Sequence, residues 1–135
     1  MSRKVIDDAV RAIKTLRENA VRGYVSGGEA RAGKNDFIVV NRSEHNDETI
    51  VTWIYHETPI VQVFSDHITV NSGGWQSYIN KEGKTVASAS TRARIDEALR
   101  VFCGRSLHQD KRVWYVGADT FVDGAEYGLL KELKI

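Results

Sequence analysis

The 135-residue sequence carries one cysteine, one proline and one methionine. It also lacks any apolar run of membrane-spanning length. The lone Cys103 excludes an internal disulfide and points to a reducing compartment. Scarce proline, with 41% hydrophobic and 27% charged residues, excludes a disordered or fibrous chain. The opening MSRKVIDDAV meets acids too early for a secretory signal, so a cytoplasmic protein is expected. Net charge is also scarce: +1 weighs against a general nucleic-acid coater. The charge is unevenly spread, however, with residues 37–80 at −4 and residues 81–112 at +4.

What is present fits one domain over residues 1–135, with a sizeable core. Ile6, Val10, Ile13, Leu16 and Ala20 recur at helical spacing and predict an amphipathic helix over 2–22. A polar, glycine-rich connection, SGGEARAGKN, follows at 26–35. Four β-type runs come next: DFIVVN at 36–41, TIVTWIY at 49–55, PIVQVF at 59–64 and HITV at 67–70. The short polar turns between them predict an antiparallel meander, with Pro59 tolerated at the start of its run. NKEG at 80–83 suggests a hairpin turn, and Arg92 to Cys103 a second helix capped by Thr91. Its core face would be Ile95, Ala98, Leu99 and Phe102. RVWYVG at 112–117 reads as a late strand, TFVDGAEYG at 120–128 as a short hairpin, and LLKELKI as a helical or strand-like tail. The expected class is α+β, an antiparallel sheet with two helices packed on one face.

Few motifs suggest catalysis. Gly28 to Lys34 spells G-x-x-x-x-G-K, but a helix precedes it, a strand follows, and Asn35 stands where a P-loop needs Ser or Thr. His45, His56, His67 and His108 are scattered, and none pairs at metal-ligand spacing. Cys103 at a helix end reads as a small core residue, and the acid pairs Asp7–Asp8 and Asp47–Glu48 as helix-dipole and solvated-turn residues. No Ser-His-Asp order or nucleophile elbow is present. No enzyme, metal or cofactor is expected.

The segment from Ile68 to Arg100 is different. Gly73 and Gly74 allow a tight bend and close ligand approach, and Trp75 emerges from that bend. Arg92 and Arg94 follow at the expected helix start, where the dipole opposes cations but amide groups favour anions. An indole beside guanidinium groups suits a nucleotide, with the base stacked and the phosphates paired. Each piece also has a plain explanation, as an edge-of-core aromatic or a solvated charged face. Lys111 and Arg112, before the late strand, would be weaker additions.

The order YHETPIV…ITVNSGGW…STRARIDEAL…VWYV…FVDG, from Tyr55 to Gly124, resembles a small family found mainly in bacteriophages. Within that family it is similar to the anti-Thoeris sponges, which sequester a cyclic ADP-ribose isomer made by a host immune enzyme without degrading it. The resemblance covers about half the chain, with short pieces; Ser77 to Ala89 departs in length, and Asp96 stands where an Asn is expected. It implies a homo-oligomer built on dimers, extending to a hexamer, with ligand at subunit interfaces. It would place Trp75 at the base-stacking position and Asp96 at the polar base-contacting one. Because an ionised carboxylate only accepts hydrogen bonds, Asp96 would alter base recognition. The resemblance also extends to sponges that hold cyclic di- or oligonucleotides, which the extra basic charge would suit. The expected function is therefore non-catalytic capture of a cyclic nucleotide in the infected bacterial cell. Gly73, Gly74, Trp75, Thr91, Arg92, Arg94, Asp96, Lys111 and Arg112 would form the site, with no membrane and no obligatory nucleic acid. The rival readings are a protein-binding inhibitor of a host defence complex, with the aromatic patch as its hot spot, and a small nucleic-acid-binding module.

Overall fold

In the computed structural model, the described residues are 3–21, 29–42, 48–73, 78–79, 81–82, 85–86 and 89–135. Helix α1 (Arg3–Val21) leads into β1 (Glu29–Arg31), β2 (Asp36–Arg42), β3 (Thr49–Tyr55), β4 (Thr58–Val63) and β5 (His67–Val70). Then come the short pair β6 (Tyr78–Ile79) and β7 (Thr85–Val86), and helix α2 (Ala89–Cys103). The chain continues as β8 (Leu107–Asp110), β9 (Val113–Val116), β10 (Asp119–Thr120) and β11 (Ala125–Gly128), and ends in a 3-10 turn at Lys131–Leu133. No helix among the described residues is long and apolar enough to cross a membrane.

Strand alternation builds the larger sheet, which is antiparallel in the order β1-β2-β3-β4-β5-β11. Ile38 faces Trp53 across the ladder and Val40 faces Val51, so all four fall on one side. Val61, Val63, Ile68 and Val70 extend that side, and all eight are buried. Both helices cover this face, α1 over β2 and β3, α2 over β4, β5 and β11. From α1, Ile6, Ala9, Val10, Ile13 and Ala20 enter the core. From α2 come Ile95, Ala98, Leu99 and Phe102, the residues its periodicity selects. The helices touch each other, and Arg3 of α1 pairs with Glu97 of α2. The fold is α+β, as the patterning predicts. The opposite face of the sheet carries Phe37, Val39, Ile50 and Ile54, each half-buried, around the buried Thr52.

A second sheet, in the order β10-β9-β8, packs beside α2. Trp114 is its anchor: fully buried, edge-on to Phe121 at 5.4 Å, with Nε1 donating to Gln109 at 3.2 Å.

Several boundaries differ from expectation. Residues 29–31 of the glycine-rich connection form an edge strand on β2. Residues 120–128 are not a hairpin: β10 pairs with β9, whereas β11 crosses to β5, with Tyr127 opposite Ile68. The NKEG turn is flanked by the paired β6 and β7, as expected. The β3–β4 and β8–β9 hairpins close through His56–Glu57 and Lys111–Arg112, and all four of these residues have positive φ, between 48° and 68°. Such two-residue turns match the sheet twist but favour Asn and Gly.

Cys103 lies at the end of α2, its thiol 3.7 Å from the carbonyl of Tyr127. Burial pushes the thiol up to about 11, from 9.0 in the free residue, against a smaller downward pull from Arg105. Alkylation of native protein by iodoacetamide at pH 8 should therefore run about a hundredfold slower than that of the urea-unfolded chain, by thiolate fraction alone. Because the unfolded thiol ionises first, Cys103 stabilises the fold below pH 9 and loses that contribution as pH rises towards 11. Timed quenching with mass detection reads the rate ratio, and equal rates would contradict the burial.

Candidate functional site

Helix α2 begins at Ala89, earlier than the sequence suggests, and this shift reassigns its first residues. Thr91 lies inside the helix and is buried, so it is not the cap. Arg94, one turn before Ala98, turns into the protein and its side chain is only 6% exposed. There its Nε donates to Oδ1 of Asp36 at 2.7 Å, and its Nη2 to Oδ2 at 3.0 Å. Nη1 donates to the Ser90 carbonyl at 3.0 Å, and the guanidinium carbon stands 3.8 Å from the Tyr55 ring centroid. Trp53 Nε1 also donates to Asp36, at 3.0 Å, and Tyr55 Oη donates to Ser90 at 3.0 Å. The expectation that Arg94 holds a phosphate is therefore corrected. Its planar fork is spent on a buried carboxylate, the arrangement such a carboxylate needs.

Asp36 begins β2, in step with the inward residues Ile38 and Val40. An acid at an inward strand position calls for a buried partner, and that alternation was the available signal for this network.

Gly73 has φ +66°, and its amide donates to the Asn71 side chain at 2.7 Å. A Cβ placed there would lie 2.5 Å from Cγ2 of Thr58. Glycine is required by the positive φ and by Thr58, which fills the space a side chain would need, while Gly73 itself stays exposed. Gly74 and Trp75 lie outside the described residues.

On its outward side, α2 presents Arg92 and Asp96, one turn apart. They line a shallow cleft of about 400 Å³, completed by Ala93 and by Leu107, His108 and Gln109 of β8. Asp96 fastens the cleft. Its Oδ1 accepts from the Leu107 amide at 2.8 Å and its Oδ2 from Arg100 at 2.9 Å. These two bonds strap α2 to β8, and the remaining lone pairs of the carboxylate face the cleft it lines. Arg92 is half-exposed and makes no hydrogen bond or ion pair among the described residues. His108 stacks on its cross-strand partner Tyr115, with centroids 5.5 Å apart and rings 21° from parallel. Lys111 and Arg112 sit exposed at the tip of the same hairpin and do not line the cleft.

Of the nine expected site residues, the cleft brings together Arg92 and Asp96. It adds His108 and Gln109, and His108 in turn stacks on Tyr115, which does not itself line the cleft. Alternation in LHQD and VWYV puts His108 and Tyr115 on one side, a signal hidden until LHQD is recognised as a strand. Chemically, the cleft offers one uncommitted guanidinium, an imidazole stacked on a phenol ring, and the Gln109 amide. Among the described residues no group of three or more His, Cys, Asp or Glu is placed to hold a metal ion. No family model matches the chain, and neither does any curated protein or solved structure.

Proposed function

We propose that this protein binds an anionic, ring-bearing small molecule of the cyclic nucleotide class, without transforming it, in the cleft between α2 and β8. The observation that carries the reading is the uncommitted Arg92 beside the His108–Tyr115 stack. A guanidinium free of protein acceptors suits a phosphate, and stacked rings at a strand surface suit a base. The resemblance to anti-Thoeris sponges supplies the ligand class, sequestration as the role, and a homo-oligomer in an infected bacterial cell as the setting.

Titration with a panel of cyclic dinucleotides, cyclic oligonucleotides and cyclic ADP-ribose isomers tests this. Saturable binding of one member is expected, with the ligand recovered intact by mass spectrometry after heating. Arg92→Ala should weaken that binding by roughly tenfold or more, the worth of a charge-assisted hydrogen bond. A flat panel, or equal affinity in Arg92→Ala, would overturn the assignment.

A second reading has an observation of its own. The half-buried Phe37, Val39, Ile50 and Ile54 give the sheet face opposite the helices an apolar character suited to a protein partner. A flat panel together with a stably co-purifying host protein would favour an inhibitor that docks through that face.

A further inference from the structure

The inward face of α1 includes one cation. Arg17 lies one turn beyond Ile13 and is only 7% exposed. Among the described residues no carboxylate pairs with it. Its hydrogen bond among the described residues is from Nη2 to the carbonyl of Phe64 at 3.2 Å. Among the described residues, Nε, Nη1 and the second hydrogen of Nη2 meet no protein acceptor. Partial burial pulls its pKa below the usual arginine value, while the unbonded nitrogens still open onto solvent. Arg94 answers the same burial with a bidentate acid, and Arg17 does not.

Arg17 also lines an open recess of about 510 Å³, with Lys14 and Glu18 of α1 on one side and Glu132 to Ile135 on the other. The far wall is fixed by backbone bonds. Leu129 N donates to Asp66 O at 2.9 Å, Leu130 N to Phe102 O at 2.8 Å, and Ile135 N to Ser65 O at 2.9 Å. Leu133 and Ile135 make that wall partly apolar. Lys14 and Lys134 are exposed and make no ion pair among the described residues. The charged groups lining the recess are Lys14, Arg17 and Lys134 against Glu18, Glu132 and the backbone carboxylate of Ile135, a balance with no excess of positive charge for a polyphosphate. No lining residue is shared with the cleft between α2 and β8.

We propose that this recess is a second binding site, for a small organic monocarboxylate whose head group pairs with Arg17 and whose carbon chain lies along Leu133 and Ile135. A carboxylate matches the planar guanidinium fork, and the Phe64 bond holds that fork in place.

The test follows the Arg17 Nε–H resonance by NMR while hexanoate, inorganic phosphate or hexanol is added to the full chain. Hexanoate is expected to shift that resonance saturably, whereas hexanol leaves it in place and phosphate binds more weakly. By Tm shift, Arg17→Met should bind hexanoate at least roughly tenfold more weakly. Leu133→Ser, on the outer wall, should weaken hexanoate without emptying the buried position, which keeps the test valid if Arg17→Met folds poorly. Arg92→Ala should leave hexanoate affinity unchanged, so this site stands or falls separately from the cleft. No saturable hexanoate response, equal affinity in Leu133→Ser, or phosphate binding as tightly as hexanoate would overturn the proposal.

Discussion

Arg94→Met should lower the free energy of unfolding by about 3–5 kcal/mol, the cost of removing one partner of a buried ion pair. The variant strands Asp36, whose side chain is 3% exposed and whose two oxygens are both held by the guanidinium. Only the Trp53 indole would remain as a donor to it. For a domain with about 5–15 kcal/mol in total, such a loss removes between about a fifth and all of its stability. Urea titration measures it as a fall in midpoint at unchanged slope. The decisive comparison is Asp36→Val with Arg94→Met, which should recover much of the loss by removing both charges at once. Recovery will not be complete, because Trp53 Nε1 then loses its acceptor. If Arg94→Met were as stable as the parent yet failed to bind the ligand, Arg94 would belong to the binding site after all.

Trp114→Ala should cost a similar amount, about 3–5 kcal/mol, but for a different reason and with a different reach. Its indole fills the space between the small sheet and the core, against Phe121, and holds Gln109 through Nε1. The small sheet has only three strands, one of two residues, and this ring is its largest buried side chain. Its loss should therefore fall hardest on β8 to β10. Hydrogen exchange should show those amides losing protection before the ladder of β2 to β4 does. The cleft should weaken too, since His108 and Gln109 belong to β8. Trp114→Phe, which keeps a ring but drops the bond to Gln109, should cost much less. Uniform loss of protection across both sheets would show that the small sheet is not a separate unit.

Much of the architecture was legible because alternation leaves little freedom. Residues 36–41, 49–55 and 67–70 appear as strands within a residue or so, since a one-residue slip would turn Ile38, Val51 or Ile68 to the solvent. Strands whose partners supply the stability were illegible. Glu29–Arg31 and Leu107–Asp110 are polar, and they are strands because β2 and β9 offer them ladders. Ala125–Gly128 was misassigned to a local hairpin because its partner, β5, lies far back in the chain.

The candidate site was legible only in part. Helical spacing identified Ile95, Ala98, Leu99 and Phe102 as core, all four of them buried. It gave no warning about Arg94, because a charged residue beside an apolar stripe is ordinarily exposed and only a distant acid makes its burial tolerable. Arg92, two residues earlier, faces outward and remains uncommitted. A pair that reads as one basic patch thus divides into a structural cation and a binding candidate.

The hairpin turns at His56–Glu57 and Lys111–Arg112 do not set their own shape. Each holds two non-glycine residues at positive φ, a conformation their side chains disfavour in an isolated peptide. Neither turn is suited to start its hairpin. The pairing of β3 with β4 and the burial of Val51, Trp53 and Val61 hold the His56–Glu57 turn in this shape. In this molecule the corners are held by the strands they join.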